Sequence, residues 1–320
     1  MSGARRAEGE LGDRYLVTGG AGFVGGAVTT TLLDRGDEVT VLDSGVAVGF
    51  SHVESTRARL LKADIRDQRA VADAIVGCRA VVHLAAQTSV PESIAMPLED
   101  LRVNLVATIE LIELARAAGV ERIVFASSNA AVGGHPSPAS EKLTSDPVSP
   151  YGAAKASVEA YLRAYHHAYG LQGVALRFAN AYGPRSAHKG SVVAAFIRAY
   201  LEGGPIVIRG DGHQTRDFVH VSDVTSVVVA CLDAQAEDVA GQVFQVGTGR
   251  ETSILELAEE LFEVGGHAVQ IQHLSPSAGD VPRNFSDISK AQRVLDYEPR
   301  VSLRDGLAET LDWFRGLRDR

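Results

Sequence analysis

The sequence predicts an α/β fold, a doubly wound parallel sheet followed by a smaller domain of mixed α/β structure. Three observations predict it. A glycine-rich turn joins a strand to a helix within residues 15–43, strands and helices alternate from there to residue 178, and the elements become shorter and mixed after Pro184. The 320 residues are enough for one large or two smaller domains with a buried core.

The composition, with 45% hydrophobic and 22% charged residues, is that of a globular protein and limits its partners. The net charge of −9 argues against a broad nucleic-acid surface, and no apolar run is long enough to cross a membrane. Residues 1–13 are polar and lack the apolar core of a signal peptide, so we expect a flexible arm and a cytoplasmic protein. Cys78 and Cys231 lie in apolar sequence without metal-ligand spacing, which predicts two buried thiols and no metal site.

The first unit, residues 15–43, is a strand, a glycine-rich turn, a helix and a second strand that ends in an acid. Gly19 permits the tight turn, Gly22 lets a pyrophosphate approach the positive end of the helix, and Gly25 lets that helix pack on the sheet. Asp43 is spaced to accept from both hydroxyls of an adenosine ribose and would repel a 2′-phosphate. The unit therefore predicts a site for NAD rather than NADP; the alternative is a generic glycine turn.

The alternation of strands and helices continues along the chain. Further strands are predicted at 60–63, 80–84, 122–126 and 173–178, with helices at 67–76, 97–118 and after Pro150. The run at 80–84 is almost continuously apolar, which is typical of a central strand buried on both faces. Repeated strand–helix units predict right-handed crossovers and a parallel sheet.

Polar residues follow several of these strands: Asp43, Asp64, Gln87, Ser127, Ser128 and Asn180. Ligands of doubly wound sheets bind at the carboxyl ends of the strands, so we expect these side chains to lie around one cleft. Asp64 is placed to reach an adenine amino group. The alternative is a carboxylate that caps the next helix or lies in the turn before it.

The stretch from Tyr151 to Lys155 begins a long helix after Ser149-Pro150. Tyr151 and Lys155 are i and i+4, so they lie on one helix face. A cation beside a phenol favours the phenolate, which predicts a tunable base. The alternative is an ordinary amphipathic helix, with a packed Tyr and a solvated Lys.

The second half has shorter elements. Helices are predicted at 192–202, 222–234 with Ser222 as N-cap, 253–263 with a capping box of Ser253 and Glu256, 287–296 and 303–316; strands are predicted at 205–208 and 243–246. We therefore divide the chain into an arm (1–13), a dinucleotide-binding domain (14–180) and a substrate-binding domain (181–320). We expect 222–250 to pack partly with the first domain, and a cleft between the two.

Taken together, these stretches resemble the extended short-chain dehydrogenase/reductase family, in particular its NAD-dependent nucleotide-sugar epimerases and dehydratases. The resemblance runs from Tyr15 to Trp313 and implies a sheet of the Rossmann type. The matching stretches are Thr18–Gly25, Asp43, Asp64–Asp67, His83–Gln87, Asn104, Ser127-Ser128, Tyr151–Lys155, Arg177–Pro184 and Gly210–Val221.

The resemblance implies roles at these positions. Tyr151 resembles the catalytic acid/base, Lys155 the residue that binds the nicotinamide ribose and lowers the pKa of the Tyr, and Ser128, with Ser127 as the alternative, the donor to the reacting sugar oxygen. The implied cofactor contacts are Gly19, Gly22, Phe23, Val24, Asp43, Asp64, Ile65, Leu84, Ala85, Ala86, Gln87, Asn104, Tyr151, Lys155 and Phe178. The implied substrate contacts are Ser128, Asn180 and Arg216, with a salt bridge from Arg216 to Asp217 or Asp223 as the alternative.

Two departures from the family pattern narrow the function. Dehydratases carry Asp-Glu after the hydroxyl residue, whereas Asn129-Ala130 stand here and cannot act as acid or base. Ser277 stands where the family has an Arg that binds the diphosphate. Arg283 lies nearby in the sequence and is the candidate to bind the diphosphate in its place. We therefore expect an NAD-dependent nucleotide-sugar 4-epimerase, with a UDP-sugar as substrate.

Two other readings of the chain stay open. One is a sugar dehydrogenase or 4-ketoreductase without epimerisation, and the other is a non-catalytic NAD-binding protein. The helix at 97–118 and the Tyr151 helix resemble the pair that forms a four-helix homodimer interface in the family; the alternative is burial within one subunit.

Overall fold

The computed structural model describes residues 12–46, 49–135, 137–276 and 281–318. The strands are β1 (Arg14–Thr18), β2 (Glu38–Asp43), β3 (Arg59–Lys62), β4 (Ala80–His83), β5 (Arg122–Ser128), β6 (Gln172–Phe178), β7 (Asn180–Tyr182), β8 (Ile206–Arg209), β9 (Thr215–Arg216), β10 (Phe218–His220), β11 (Gln242–Val246), β12 (Thr252–Ser253), β13 (Ile271–Leu274) and β14 (Arg283–Asn284).

The helices are α1 (Phe23–Asp34), α2 (Ser51–Glu54), α3 (Gln68–Ile75), α4 (Val90–Ala95), α5 (Pro97–Asp100), α6 (Ala107–Ala117), α7 (Pro150–Tyr169), α8 (Val192–Glu202), α9 (Val221–Asp233), α10 (Ala236–Val239), α11 (Ile254–Gly265), α12 (Ser289–Leu295) and α13 (Leu303–Arg318). A π-helical segment, Leu101–Val106, joins α5 to α6, so the helix predicted at 97–118 is wound more loosely in its middle. A 3₁₀ turn, Asn129–Ala131, follows β5.

The main sheet has seven parallel strands in the order β11-β6-β5-β4-β1-β2-β3, as the doubly wound prediction requires. The strand order reverses between β1 and β4, whose carboxyl ends Thr18 and His83 pair directly. Loops on either side of such a reversal diverge and leave a crevice, which is where ligands of these sheets bind.

Each face of the sheet has its own hydrophobic core. On one face, α1 and α9 pack through residues such as Val28, Leu32 and Val228. On the other, α3, α6 and α7 pack through Ala74, Leu111 and Val158. Burial on both faces explains why β1 and β4 are nearly continuous apolar runs.

A third core belongs to the smaller C-terminal unit. It joins α8, α11 and α13 through residues such as Ile197, Leu261 and Leu311. Short sheets flank it, with β12 antiparallel and β14 parallel to β9, β13 paired with β8, and β10 with β7. β11 and α9 lie with the main sheet although they come late in the chain, so the two units interleave.

The structure corrects several local predictions. His220, rather than Ser222, is the N-cap of α9, because its ring accepts from the Ser222 backbone N–H. Asp13, predicted to lie in the flexible arm, accepts from Arg79 at 2.7 Å and its carbonyl accepts from Glu38 N, while residues 1–11 lie outside the described part.

Two other predictions, the capping box and the buried thiols, are confirmed. The capping box of Ser253 and Glu256 is present in both directions. Cys78 and Cys231 are buried, free thiols. Among the described helices, none combines the length and apolar character that a membrane span requires.

Candidate active site

The glycine-rich turn between β1 and α1 forms the floor of the crevice. Gly19 has a φ of +69°, and a side chain there would also collide with the backbone of Ala85 at 2.7 Å. A Cβ on Gly25 would lie 2.0 Å from Gly19 O, so only glycine lets α1 come this close. No side chain caps α1 at Gly22, and its first turn carries no acid. Its N–H groups are therefore available to an anion.

Asp43 ends β2 beside this turn. Its two carboxylate oxygens accept from Ala21 N at 3.0 Å and Gly45 N at 2.8 Å, which fixes the carboxylate between the loops that follow β1 and β2. Each oxygen keeps a lone pair for a ribose hydroxyl. Phe23 is buried and Val24 half-buried at the start of α1.

The Asp64 carboxylate is hydrogen-bonded within the turn between β3 and α3. It accepts from Arg66 N at 2.9 Å and from the Arg66 guanidinium at 2.8 Å, and these bonds hold its pKa below the usual range. Asp67, not Asp64, caps α3. The adjacent Ile65 is buried. The adenine contact predicted for Asp64 stays a prediction.

The loop after β4, Leu84 to Gln87, lies half-buried over Gly19. Asn104 clamps it: Nδ2 donates to Gln87 O at 2.9 Å and Oδ1 accepts from Gln87 N at 3.0 Å. Asn104 is buried with both ends of its amide engaged, which places it under the loop as a support.

The two serines that end β5 point in different directions. Ser127 is buried and donates to Glu159 on α7. Ser128 accepts from Ala130 N at 3.2 Å and lies close enough to Tyr151 to hydrogen-bond to it. Alternating strand residues face opposite sides, so Ser128, and not the alternative Ser127, joins Tyr151.

Tyr151 and Lys155 lie in the first turns of α7, one above the other. Ser149 caps the helix by accepting from Gly152 N at 3.1 Å, and Pro150 opens it. Lys155 Nζ lies 5.7 Å from the centre of the Tyr151 ring and donates to Ala126 O at 2.8 Å. The carbonyl takes one of three ammonium N–H groups, so two can meet ribose hydroxyls.

The electrostatics of this pair differ from the expected lowering of the Tyr pKa. Burial raises the pKa of Tyr151 to about 12, although the hydrogen bond to Ser128 partly offsets it. Burial also lowers the pKa of Lys155 to about 8, while Asp100 and Glu159 favour its charged form. Desolvation disfavours both charges. In the protein alone the phenol is therefore protonated at neutral pH.

Sequence reasoning missed the two acids that face Lys155. Asp100 is buried and accepts from Asn104 Nδ2 at 2.7 Å, and burial raises its pKa. Glu159 is buried and pairs with Arg177 through two hydrogen bonds of 2.9 and 2.6 Å. Glu159 could have been found, because it is four residues after Lys155 on the same helix face.

Asn129, at the position of the family's elimination acid, is structural. Its amide donates to Asn284 Oδ1 at 3.2 Å and to Ser286 Oγ at 3.1 Å, so it ties β5 to the C-terminal unit. Ala130 follows it and has no group that ionises.

The predicted substrate residues other than Ser128 lie on the short strands β7, β9 and β14. Asn180 begins β7 and is exposed. Arg216 donates to the carbonyls of Thr215 and Val281 at 2.7 and 2.8 Å. Arg283 is exposed and forms a two-bond pair with Glu251, so binding a diphosphate would require it to exchange partners. Ser277 lies outside the described residues.

The alternative partners of Arg216 are engaged elsewhere. Asp217 accepts from the backbone of Thr248 and Gly249, and Asp223 from the backbone of Arg300 and Val301. Within the described ranges, no group of three metal-binding side chains comes together.

These residues fit a dinucleotide. The uncapped N-terminus of α1 suits its pyrophosphate, the Asp43 carboxylate suits one ribose, and the Lys155 ammonium suits the other. Leu84, Ala85, Ala86 and Phe178 are half-buried around the same crevice.

Comparisons with known proteins give a consistent picture. The model of the NAD dependent epimerase/dehydratase family matches residues 15–247. The UDP-glucose 4-epimerase of Mycolicibacterium smegmatis is 40% identical over 316 residues, with 94% of this chain and 98% of that protein covered. The dTDP-glucose 4,6-dehydratase of Streptomyces niveus is 34% identical over 316 residues, with 94% and 93% covered.

A solved structure shares the fold. The UDP-glucose 4-epimerase of Thermus thermophilus, in complex with NAD, superposes with a TM-score of 0.87 at 36% identity, and 95% of this chain and 99% of that chain are covered.

Proposed function

The chain belongs to the NAD-dependent epimerase/dehydratase family, and from this premise we propose that it is a 4-epimerase of a nucleotide sugar, with a UDP-sugar as substrate. Its cofactor is NAD. The proposal rests on the composition of this site. Ser128, Tyr151 and Lys155 are close together, whereas Asn129, the residue after Ser128, cannot ionise and is hydrogen-bonded to the C-terminal unit.

The first half-reaction oxidises the sugar at C4. Tyr151 accepts the proton of the 4-hydroxyl while the Ser128 hydroxyl holds the same oxygen. When bound, NAD would supply the hydride acceptor for C4, and the positive charge of its nicotinamide would favour the phenolate of Tyr151. Lys155 binds the nicotinamide ribose and adds a second positive charge near the phenol of Tyr151.

The second half-reaction returns the hydride to the other face of the sugar. For that the 4-keto sugar turns in the crevice while Asn180 and Arg216 keep the diphosphate in place. Tyr151 then donates its proton to the C4 oxygen. Loss of water would need another acid and base beside Ser128, and Asn129 and Ala130 supply neither.

The proposal predicts inversion at C4. Purified protein incubated with UDP-glucose, UDP-N-acetylglucosamine and UDP-glucuronate should convert at least one to its C4 epimer, detected by proton NMR, without net NADH formation. Stoichiometric NADH release would instead identify a dehydrogenase, and a 4-keto-6-deoxy product would identify a dehydratase such as the Streptomyces relative. Either outcome would overturn the proposal.

We also propose a homodimer built on α4, α5, the π-helical segment and α7. Ile94 and Leu98 are 61% and 64% exposed there, and Met96 is 51% exposed. Apolar side chains grouped this way on a surface indicate an interface. The arrangement supports the four-helix contact that the sequence resemblance implied.

Leu98→Glu should therefore weaken the dimer at least tenfold, because it buries a charge in an apolar contact. Sedimentation velocity over a concentration series would measure the shift to monomer. Val76→Glu is the matched control, since Val76 is 63% exposed at the end of α3. A Leu98→Glu protein that sediments as the parent does would contradict this interface.

A further inference from the structure

The loop between β7 and α8, residues 183–191, carries a lysine to the start of α1. Lys189 Nζ lies 4.9 Å from the centre of the Phe23 ring, and Phe23 is the first residue of α1. A residue of the C-terminal unit thus reaches the glycine-rich turn of the main sheet.

The Lys189 side chain is half-buried, and its ammonium has no ion-pair partner among the described residues. Its hydrogen bond goes to Ala181 O at 3.2 Å, and in the described ranges no carboxylate forms an ion pair with it. Burial alone lowers its pKa to about 8. A desolvated cation without an anion is costly, so a site of this kind favours an anionic ligand.

The N-terminus of α1 also favours an anion. This twelve-residue helix begins at Phe23; its N-cap, Gly22, provides no side-chain cap, and its first turn carries no acid. The uncapped N-terminus of α1 and the ammonium near the ring of its first residue each favour a negatively charged group.

The loop is built to hold the lysine there. Lys189 N donates to Ser186 O at 2.9 Å, and Ser186 Oγ donates to Gly183 O at 2.6 Å. Arg198 on α8 anchors the loop by donating to Ala187 O at 2.6 Å. The ammonium is therefore positioned before any ligand arrives, which reduces the entropy lost on binding.

We propose that Lys189 is a cationic ligand of the pyrophosphate of NAD, supplied by the C-terminal unit across the crevice. The contact would make cofactor retention depend on both units. It requires only the cofactor and holds whichever sugar is the substrate.

The test measures cofactor binding directly. In equilibrium dialysis with labelled NAD, Lys189→Met should lower the affinity about tenfold or more, because a charge-assisted bond to phosphate is lost. Lys189→Arg should retain most of it. Lys142→Met, at an exposed lysine of the loop before α7, is the control and should bind NAD as the parent does.

Competition locates the contact. Lys189→Met should weaken the binding of ADP-ribose as much as that of NAD. It should leave the binding of adenosine unchanged, since adenosine lacks the pyrophosphate. The affinity for UDP is measured as well. If Lys189→Met weakens the binding of UDP but not that of NAD, the lysine binds the diphosphate of the nucleotide sugar and the proposal is wrong. Unchanged binding of both would also overturn it.

Thermal unfolding separates this role from a structural one. Without NAD, Lys189→Met should unfold at the same or a higher temperature, because a partly desolvated cation without an ion-pair partner in the described ranges is removed. NAD should raise that temperature less than it does in the parent. A variant that is less stable without NAD, and is stabilised by NAD as fully as the parent, would show that Lys189 only supports the fold.

Discussion

Tyr151→Phe should lower turnover by about two to four orders of magnitude and leave NAD bound. The phenol oxygen is the group that can exchange a proton with the sugar, since Ser128 beside it is a weak acid and Lys155 is committed to Ala126 O and the ribose. The ring is buried, so Phe fills the same space and keeps the packing. Steady-state kinetics and the NAD content of the purified variant measure the two effects.

Tyr161→Phe is the matched control, because Tyr161 lies on the same helix and is 45% exposed. It should retain full turnover. Tyr151→Phe with activity near that of the parent would remove Tyr151 from the mechanism. Loss of NAD together with loss of activity would indicate that the hydroxyl is needed to bind the cofactor, and would also contradict the assignment.

Glu159→Gln should lower the free energy of unfolding by about 3–5 kcal/mol. The two-bond pair of Glu159 with Arg177 is buried, and Ser127 donates to the same carboxylate. Removing the carboxylate charge leaves the Arg177 guanidinium buried and unbalanced. This is a large share of the stability of an ordinary domain. Urea unfolding followed by circular dichroism would measure it.

A double variant keeps this prediction testable even if the single variant does not fold. Glu159→Leu with Arg177→Met removes both charges and should recover most of the lost stability. Glu113→Gln is the surface control, because its ion pair with Arg116 is exposed and screened by solvent. Glu159→Gln as stable as Glu113→Gln would show that the buried pair contributes little.

Much of the fold could be predicted from the sequence because its signals are local. The apolar runs of β1 and β4, the Gly19–Gly25 turn and the capping box at Ser253 each depend on residues close in the chain. Their geometry follows from glycine conformation, capping and burial, so the seven strands of the main sheet and the longer helices could be placed to within a few residues.

Other features could not be read from the sequence. The π-helical turn at Leu101–Val106 has no sequence marker, and it lies between Asp100 and Ala107 in a run that is helical by every local measure. Position on β5 separates Ser127 from Ser128, but the sequence alone does not say which faces Tyr151. Lys189 lies between two elements and carries no motif.

The sequence by itself determined the chemistry that is available: a glycine turn, an acid at the end of β2, a Tyr and Lys on one helix face, and a residue after Ser128 that cannot ionise. Only the tertiary structure decided how that chemistry is tuned. Burial raises the pKa of Tyr151 and lowers that of Lys155, and packing brings Asp100 near Lys155 and Lys189 near the start of α1 from distant parts of the chain. The physical reason is that desolvation and long-range charge depend on which groups the packed elements bring together, and spacing along the chain does not encode that.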